Sequence, residues 1–388
     1  MRGFLLLTLG VVLSTVAGVL GFFAVAMVVP SVPVFAGAGA LAVAGTAWLF
    51  GRWGARALGW RRVWPYVAVV TAALCGLTAV TVLRPADVPA RAAVPAGVRF
   101  WDLPTGSRLA YYREPARGTA RPYPVLFLHG GPGTPGEGIP EGGEELAAKG
   151  FDVYAYDQLG AGRSTRLDDV TGYTMARHVA DLDAIRTKLG AERVILVGRS
   201  FGGTLSAAYM AAHPDRVERA VLTSPGPIWD PAFPEGAGSP WGKDGEPDVS
   251  LRFLVQSVLL GLNPASARAL VPDREADASF RALLLAAKDA TSCPGAPPAP
   301  VHDNQPGFYT NQLTSQDPVP DPRPKLREVR VPTLVARGEC DYLKPEVAKE
   351  YAEVLPDATF VAVPGAGHSV ANGRPDLYRK LLLDFLTR

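Results

Sequence analysis

The chain has 388 residues, 39 Lys and Arg against 37 Asp and Glu, and a formal net charge of +2. So even a balance, with no run of lysines or arginines, excludes a surface built to track a phosphate backbone, and nucleic acid is not an expected partner. The length exceeds one ordinary domain, and acidic residues are absent before residue 84 and frequent after it, so at least two structural regions are expected. Gly (41) and Pro (36) are abundant but follow no repeat period, which argues against a solenoid or a collagen-like chain.

Residues 4–29 and 34–50 are uncharged and apolar, as are residues 65–83. Each approaches the ~20 residues that span a bilayer core, so about three transmembrane helices are expected in residues 1–83. The Pro30-Ser31-Val32-Pro33 segment separates the first two, because proline lacks a backbone donor and the residue before it resists helix. Arg52, Arg56, Arg61 and Arg62 crowd the second connection, whereas the first carries no charge. Positive-inside bias therefore places residues 51–64 and the amino terminus in the cytoplasm and the chain from residue 84 onward outside, as a multi-pass cell-membrane protein. A cleaved signal peptide is the rival reading, but two further apolar spans would survive the cleavage.

Residues 84–98 repeat Pro and Ala with few large apolar groups, the composition of an extended linker. Short β-rich runs follow at 109–113, 125–128, 151–156, 194–197 and 220–223. They alternate with helical patterns at 173–189 and 205–212, which predicts a mostly parallel sheet with crossover helices. The rhythm stops near residue 226 and resumes near 328, with strands at 333–336 and 359–363 and helices at 345–355 and 375–386. Residues 99–225 and 328–388 thus read as an α/β core and residues 226–327 as an inserted cap.

Gly198-Arg199-Ser200-Phe201-Gly202 stands between a strand and an alanine-rich helix, the setting of a nucleophile elbow. Isolated G-x-S-x-G matches are common in a glycine-rich chain, so the partners matter. A serine needs an imidazole to take its proton and a carboxylate to orient that imidazole. His368 follows the last strand and Asp341 the one before it, giving the order Ser, Asp, His; Glu339 is the competing acid. His178 and His213 lie on or at the end of a helix and His302 in the cap, and all three are less suitable bases. His129-Gly130-Gly131-Pro132-Gly133 leaves backbone N–H groups unhindered, and those of Gly131 and Phe201 are the expected oxyanion donors. His129 itself reads as structural. No cysteine pair has zinc-site spacing, so no metal is expected. Cys293 and Cys340 either form a disulfide in an oxidising compartment or remain two separate thiols; spacing does not decide.

Residues 129–133, Asp157-Gln-Leu-Gly-Ala-Gly-Arg-Ser164, 198–203, Gly338-Glu-Cys-Asp341 and Gly367-His368 together resemble the prolyl aminopeptidase (proline iminopeptidase) branch of the α/β hydrolases. The resemblance covers roughly 99–225 and 328–388. It implies an α/β-hydrolase fold with a cap, the triad Ser200, Asp341 and His368, and no cofactor. It also implies a peptide or amide substrate whose free amine is held by cap carboxylates, for which Glu235, Glu246 and Glu275 are candidates. An extracytoplasmic carboxylesterase or amidase is the neighbouring reading, and a membrane-anchored binding protein without catalysis is the reading from another class.

Overall fold

Uncharged runs longer than a bilayer is thick fold as helices because a helix bonds its backbone polar groups within the segment. The computed structural model describes every residue except 91–92, 241–248, 297, 299 and 302–304. Its chain divides into two compact units, Met1–Val88 with Asp248–Glu275, and Pro89–Pro247 with Ala276–Arg388.

The first unit opens with α1 (Arg2–Ala26), α2 (Val32–Ala57) and α3 (Trp64–Thr78), the last continuing as a π-helical turn to Leu83. All three are long and apolar enough to cross a membrane. Gly3, Leu7, Gly10, Ser14, Gly18, Phe22 and Ala26 recur every three or four residues as the buried face of α1. Small residues on such a face let two helices approach closely, as apolar helices do where no water drives them together. Tyr66 on α3 donates its hydroxyl to the Leu7 carbonyl, 2.7 Å away. The second helix is longer than its apolar stretch. It carries Arg52 and Arg56, since arginine is a good helix former and favours a helix carboxy terminus, and only Arg61 and Arg62 remain in the connection.

The second unit is built on an eight-stranded sheet in the order β1-β2-β4-β3-β5-β6-β7-β8. Its strands are β1 (Arg99–Asp102), β2 (Arg108–Glu114), β3 (Val125–Leu128), β4 (Val153–Tyr156), β5 (Val194–Arg199), β6 (Val217–Thr223), β7 (Thr333–Gly338) and β8 (Ala358–Val363). The first two pair antiparallel and β2 runs antiparallel to β4, while all other neighbours are parallel. Every residue of β3 and β4 is buried, as expected of strands covered on both faces. Helices α4 (Gly143–Ala148), α5 (Met175–Lys188) and α6 (Phe201–Ala212) follow the first strands.

The inserted region is not one body. Helices α7 (Leu251–Leu262) and α8 (Pro264–Leu270) belong to the first unit. There Asn263 and Ser266 donate to the Ala26 carbonyl at the end of α1, at 3.2 and 2.6 Å. The rest of the insertion, with α9 (Asp273–Ala287), α10 (Phe308–Ser315) and α11 (Arg323–Leu326), leads back to β7. Within the second unit, buried Asp277 accepts from Arg166 at 2.8 Å and from the Phe308 N–H at 2.9 Å, tying α9 to α10 and to the loop after β4. The chain closes with α12 (Pro345–Val354), α13 (Val370–Gly373) and α14 (Pro375–Leu386). Leu382 and Leu386 of α14 join Val125, Phe127, Ile195 and Val221 in one core.

Candidate active site

Parallel strands bring their carboxy-terminal loops to one edge of a sheet, and in open α/β sheets that edge hosts ligands. Ser200 follows β5, Asp341 follows β7 and His368 follows β8. Ser200 holds φ 53° and ψ −122°, a conformation that L-residues rarely adopt and that persists only where surrounding structure imposes it. The imposing contacts are visible. The Ser200 N–H donates to the Thr223 carbonyl at 3.0 Å, and its own carbonyl accepts from Gly203 and Gly226 at 2.7 and 3.0 Å. A Cβ on Gly198 would meet the Gly202 carbonyl, and one on Gly202 the Leu128 carbonyl, so the sharp strand-to-helix turn requires glycine at both positions.

His368 and Asp341 come together. The imidazole Nδ1 lies 2.7 Å from Asp341 Oδ1, and both side chains are buried. With the carboxylate ionised, Nδ1–H donates to it and Nε2 is left as the acceptor that a general base requires. A second hydrogen bond fixes the acid, from the Leu343 N–H to Asp341 Oδ1 at 3.1 Å. The competing acid is turned away: Glu339 is exposed, and its carboxylate accepts from the Gly365 N–H.

The glycine loop after β3 lies against the serine. A Cβ on Gly130 would stand 2.9 Å from Ser200 Cβ, and Gly131 holds φ 116°, in the region that favours glycine. Among the described residues no acceptor is bonded to the N–H of Gly131 or of Phe201.

A family model described as the alpha/beta hydrolase fold matches residues 123–257. The second unit has the α/β-hydrolase fold. A proline iminopeptidase of Lactobacillus delbrueckii subsp. bulgaricus is 28% identical over 305 residues, which cover 73% of this chain and 96% of the relative. Another proline iminopeptidase, from Heyndrickxia coagulans, is 26% identical over 297 residues, with the same two coverages. Among solved structures, an esterase from Exiguobacterium antarcticum aligns with a TM-score of 0.54 at 17% identity, covering 74% of this chain and 99% of the esterase.

Several residues that the sequence reading passed over shape the hydrolase domain's site. Arg337, buried at the end of β7, sends Nη1 to the Gly338 carbonyl at 2.9 Å and Nη2 to those of Asp341 and Leu343 at 2.9 and 2.7 Å, clamping the loop that carries the acid. The His368 N–H donates to the Thr291 carbonyl at 2.8 Å, and the Tyr342 ring packs on the imidazole, centroids 4.4 Å apart. Of the two states that spacing left open for Cys293 and Cys340, the structure has the disulfide, with their Cα atoms 5.1 Å apart. The segment around Thr291 is thereby tied covalently to the residue before Asp341. An arginine within a strand gives no sequence signal of this role.

His129 serves structure, as expected. Its Nε2 accepts from the Gln158 N–H at 2.9 Å, Nδ1 donates to the Gly130 carbonyl at 2.9 Å, and burial lowers its pKa to about 3. His178 is buried with Nε2 3.2 Å from Thr314 Oγ1, and burial lowers its pKa to about 4. The three carboxylates proposed to hold an amine fare differently. Glu235 is exposed. Glu246 lies outside the described residues, as does His302. Glu275 departs from the expectation: it is buried in the first unit, where Arg252 occupies both of its oxygens at 2.5 and 2.9 Å.

Proposed function

We propose that this chain is a membrane-anchored serine hydrolase that cleaves peptide or amide bonds through an acyl-enzyme, in the manner of a proline iminopeptidase. Ser200 Oγ attacks the substrate carbonyl, His368 Nε2 takes the proton and returns it to the leaving amine, and Asp341 steadies the imidazolium. The N–H groups of Gly131 and Phe201 receive the negative charge on the tetrahedral oxygen, and water then releases the acid. The buried hydrogen bond between His368 and Asp341, on loops that leave the same sheet edge as the Ser200 elbow, is the observation that carries this reading. The aminopeptidase version is supported by the likeness to proline iminopeptidases over most of their length.

One observation favours a neighbouring reading. With Glu275 occupied by Arg252 and Glu235 exposed, no described candidate carboxylate is placed to hold a substrate amine, which suits an esterase or amidase with a neutral substrate. The three apolar helices and the arginines at one end of them support a catalytic domain outside the cytoplasm.

Two assays test the proposal. A fluorophosphonate probe is expected to label the protein and to lose that labelling in Ser200→Ala; labelling that persists in the variant, or none in the parent, sinks it. Proline arylamide turnover against that of short acyl nitrophenyl esters then separates the two substrate classes.

A further inference from the structure

Helix α7 exposes an apolar face that a helix in water would cover. Its buried side carries Arg252 and Gln256, at 5% and 1% exposure, beside Leu259 and Leu260, whereas Leu251, Leu254, Val258 and Leu262 stand 51%, 49%, 51% and 43% exposed. At ~100° per residue these four fall on one stripe, bordered by Val255 on one side and by Gly261 and Ser257 on the other. The stripe has no charge, and the Ser257 hydroxyl is bonded within the helix to the Phe253 carbonyl at 3.0 Å. The inward arginine is fully engaged by Glu275 and by the Val82 and Leu270 carbonyls at 2.6 and 2.5 Å. A charged group turned in and engaged, with aliphatic groups turned out, is the arrangement a hydrocarbon surrounding selects.

The stripe does not stand alone. Within the first unit α7 packs on the π-helical turn that ends the third apolar helix, and α8 is bonded to the end of the first through Asn263 and Ser266. Met27 and Val28, just beyond those carbonyls, are themselves 52% and 77% exposed. The apolar surface of the three long helices therefore continues onto α7. Its 12 residues reach only ~18 Å, too short to cross a bilayer but suited to lying in the interfacial layer.

Building on the reading that α1, α2 and α3 cross a membrane, we infer that α7 is an interfacial membrane helix whose Leu251, Leu254, Val258 and Leu262 stripe is immersed in lipid at the end where α1 and α3 finish. The hydrolase domain's insertion thus supplies a fourth membrane element.

The full-length protein in lipid nanodiscs tests this. In a Cys75→Ser background that keeps the disulfide, an environment-sensitive fluorophore is placed on Leu254→Cys or Val258→Cys, with Leu77→Cys on α3 and Glu192→Cys on the hydrolase domain as references. Lipids bearing nitroxides on their acyl chains are expected to quench the labels at 254, 258 and 77 and to spare that at 192. Labels at 254 and 258 that stay bright while 77 is quenched overturn the inference, whether iodide reaches them, meaning water, or does not, meaning a covering protein. A label at 77 that stays bright defeats the membrane reading itself. The unlabelled parent gives a second measurement: photoactivatable acyl chains are expected to leave adducts on residues 251–262, and adducts confined to the three long helices contradict the inference.

Discussion

At the scale of single residues the site turns on the hydrogen bond that orients His368. Asp341 gives His368 its tautomer, so Asp341→Asn is expected to lower kcat by about 10⁴-fold while leaving KM and the fold largely intact, measured by steady-state kinetics beside thermal melts. His178 makes a separate statement about stability. Its folded pKa of about 4 lies below the ordinary 6.5, so between those values the unfolded chain takes up a proton that the native one refuses. Its contribution is therefore present above pH 6.5 and lost as pH falls towards 4. His129, with its pKa lowered to about 3, acts in the same direction. The melting temperature should fall between pH 7 and pH 5, and His178→Gln, which cannot charge, should fall less; an equal fall would mean that other groups carry the effect.

At the scale of elements, Arg337 and the disulfide together hold the loops after β7 and β8. Removing the guanidinium orphans buried carbonyls, at roughly 1–3 kcal/mol each, so Arg337→Leu is expected to cost several kcal/mol in chemical denaturation. Arg337→Lys should recover part of it. Releasing the bridge with Cys293→Ser and Cys340→Ser frees the Thr291 segment that accepts the His368 N–H. A fall in kcat with little change in the probe-reactive fraction is expected, and unchanged kinetics would show that the bridge does not position the base. Legibility in the sequence follows burial. Strands β3, β5 and β7 announce themselves because buried apolar runs end abruptly in glycine-bearing loops, and the elbow and the acid are read from the loops after β5 and β7, the base from the loop after β8. The edge strand β1, Arg99–Asp102, carries charge at both ends and stays hidden beside the linker. Arg337 is hidden for the opposite reason: a charged residue in a strand reads as surface, while its hydrogen-bond partners are backbone carbonyls that leave no sequence trace.

For the whole molecule, the sequence reads as an apolar region, an α/β region and one inserted cap, whereas residues 248–275 of that insertion fall in the first unit. Glu275 reads as a cap carboxylate because its partner Arg252 is 23 residues away and nothing local signals the pairing. The outward stripe of α7 reads as ordinary core periodicity, since periodicity reports a face and not what covers it. Orientation remains open to a direct measurement. A membrane-impermeant maleimide on intact cells is expected to modify Glu192→Cys in the hydrolase domain and to miss Arg61→Cys beside α2, and the reverse pattern would invert the protein in the membrane.

The chain passes between its two units three times, after residues 88, 247 and 275. An ectodomain hung on one stalk is shed by a single proteolytic nick. Here a cut between residues 89 and 98 leaves α7 and α8 in the carboxy-terminal fragment and still bonded to the end of α1, so that fragment is expected to stay with the apolar helices by packing rather than by a covalent link.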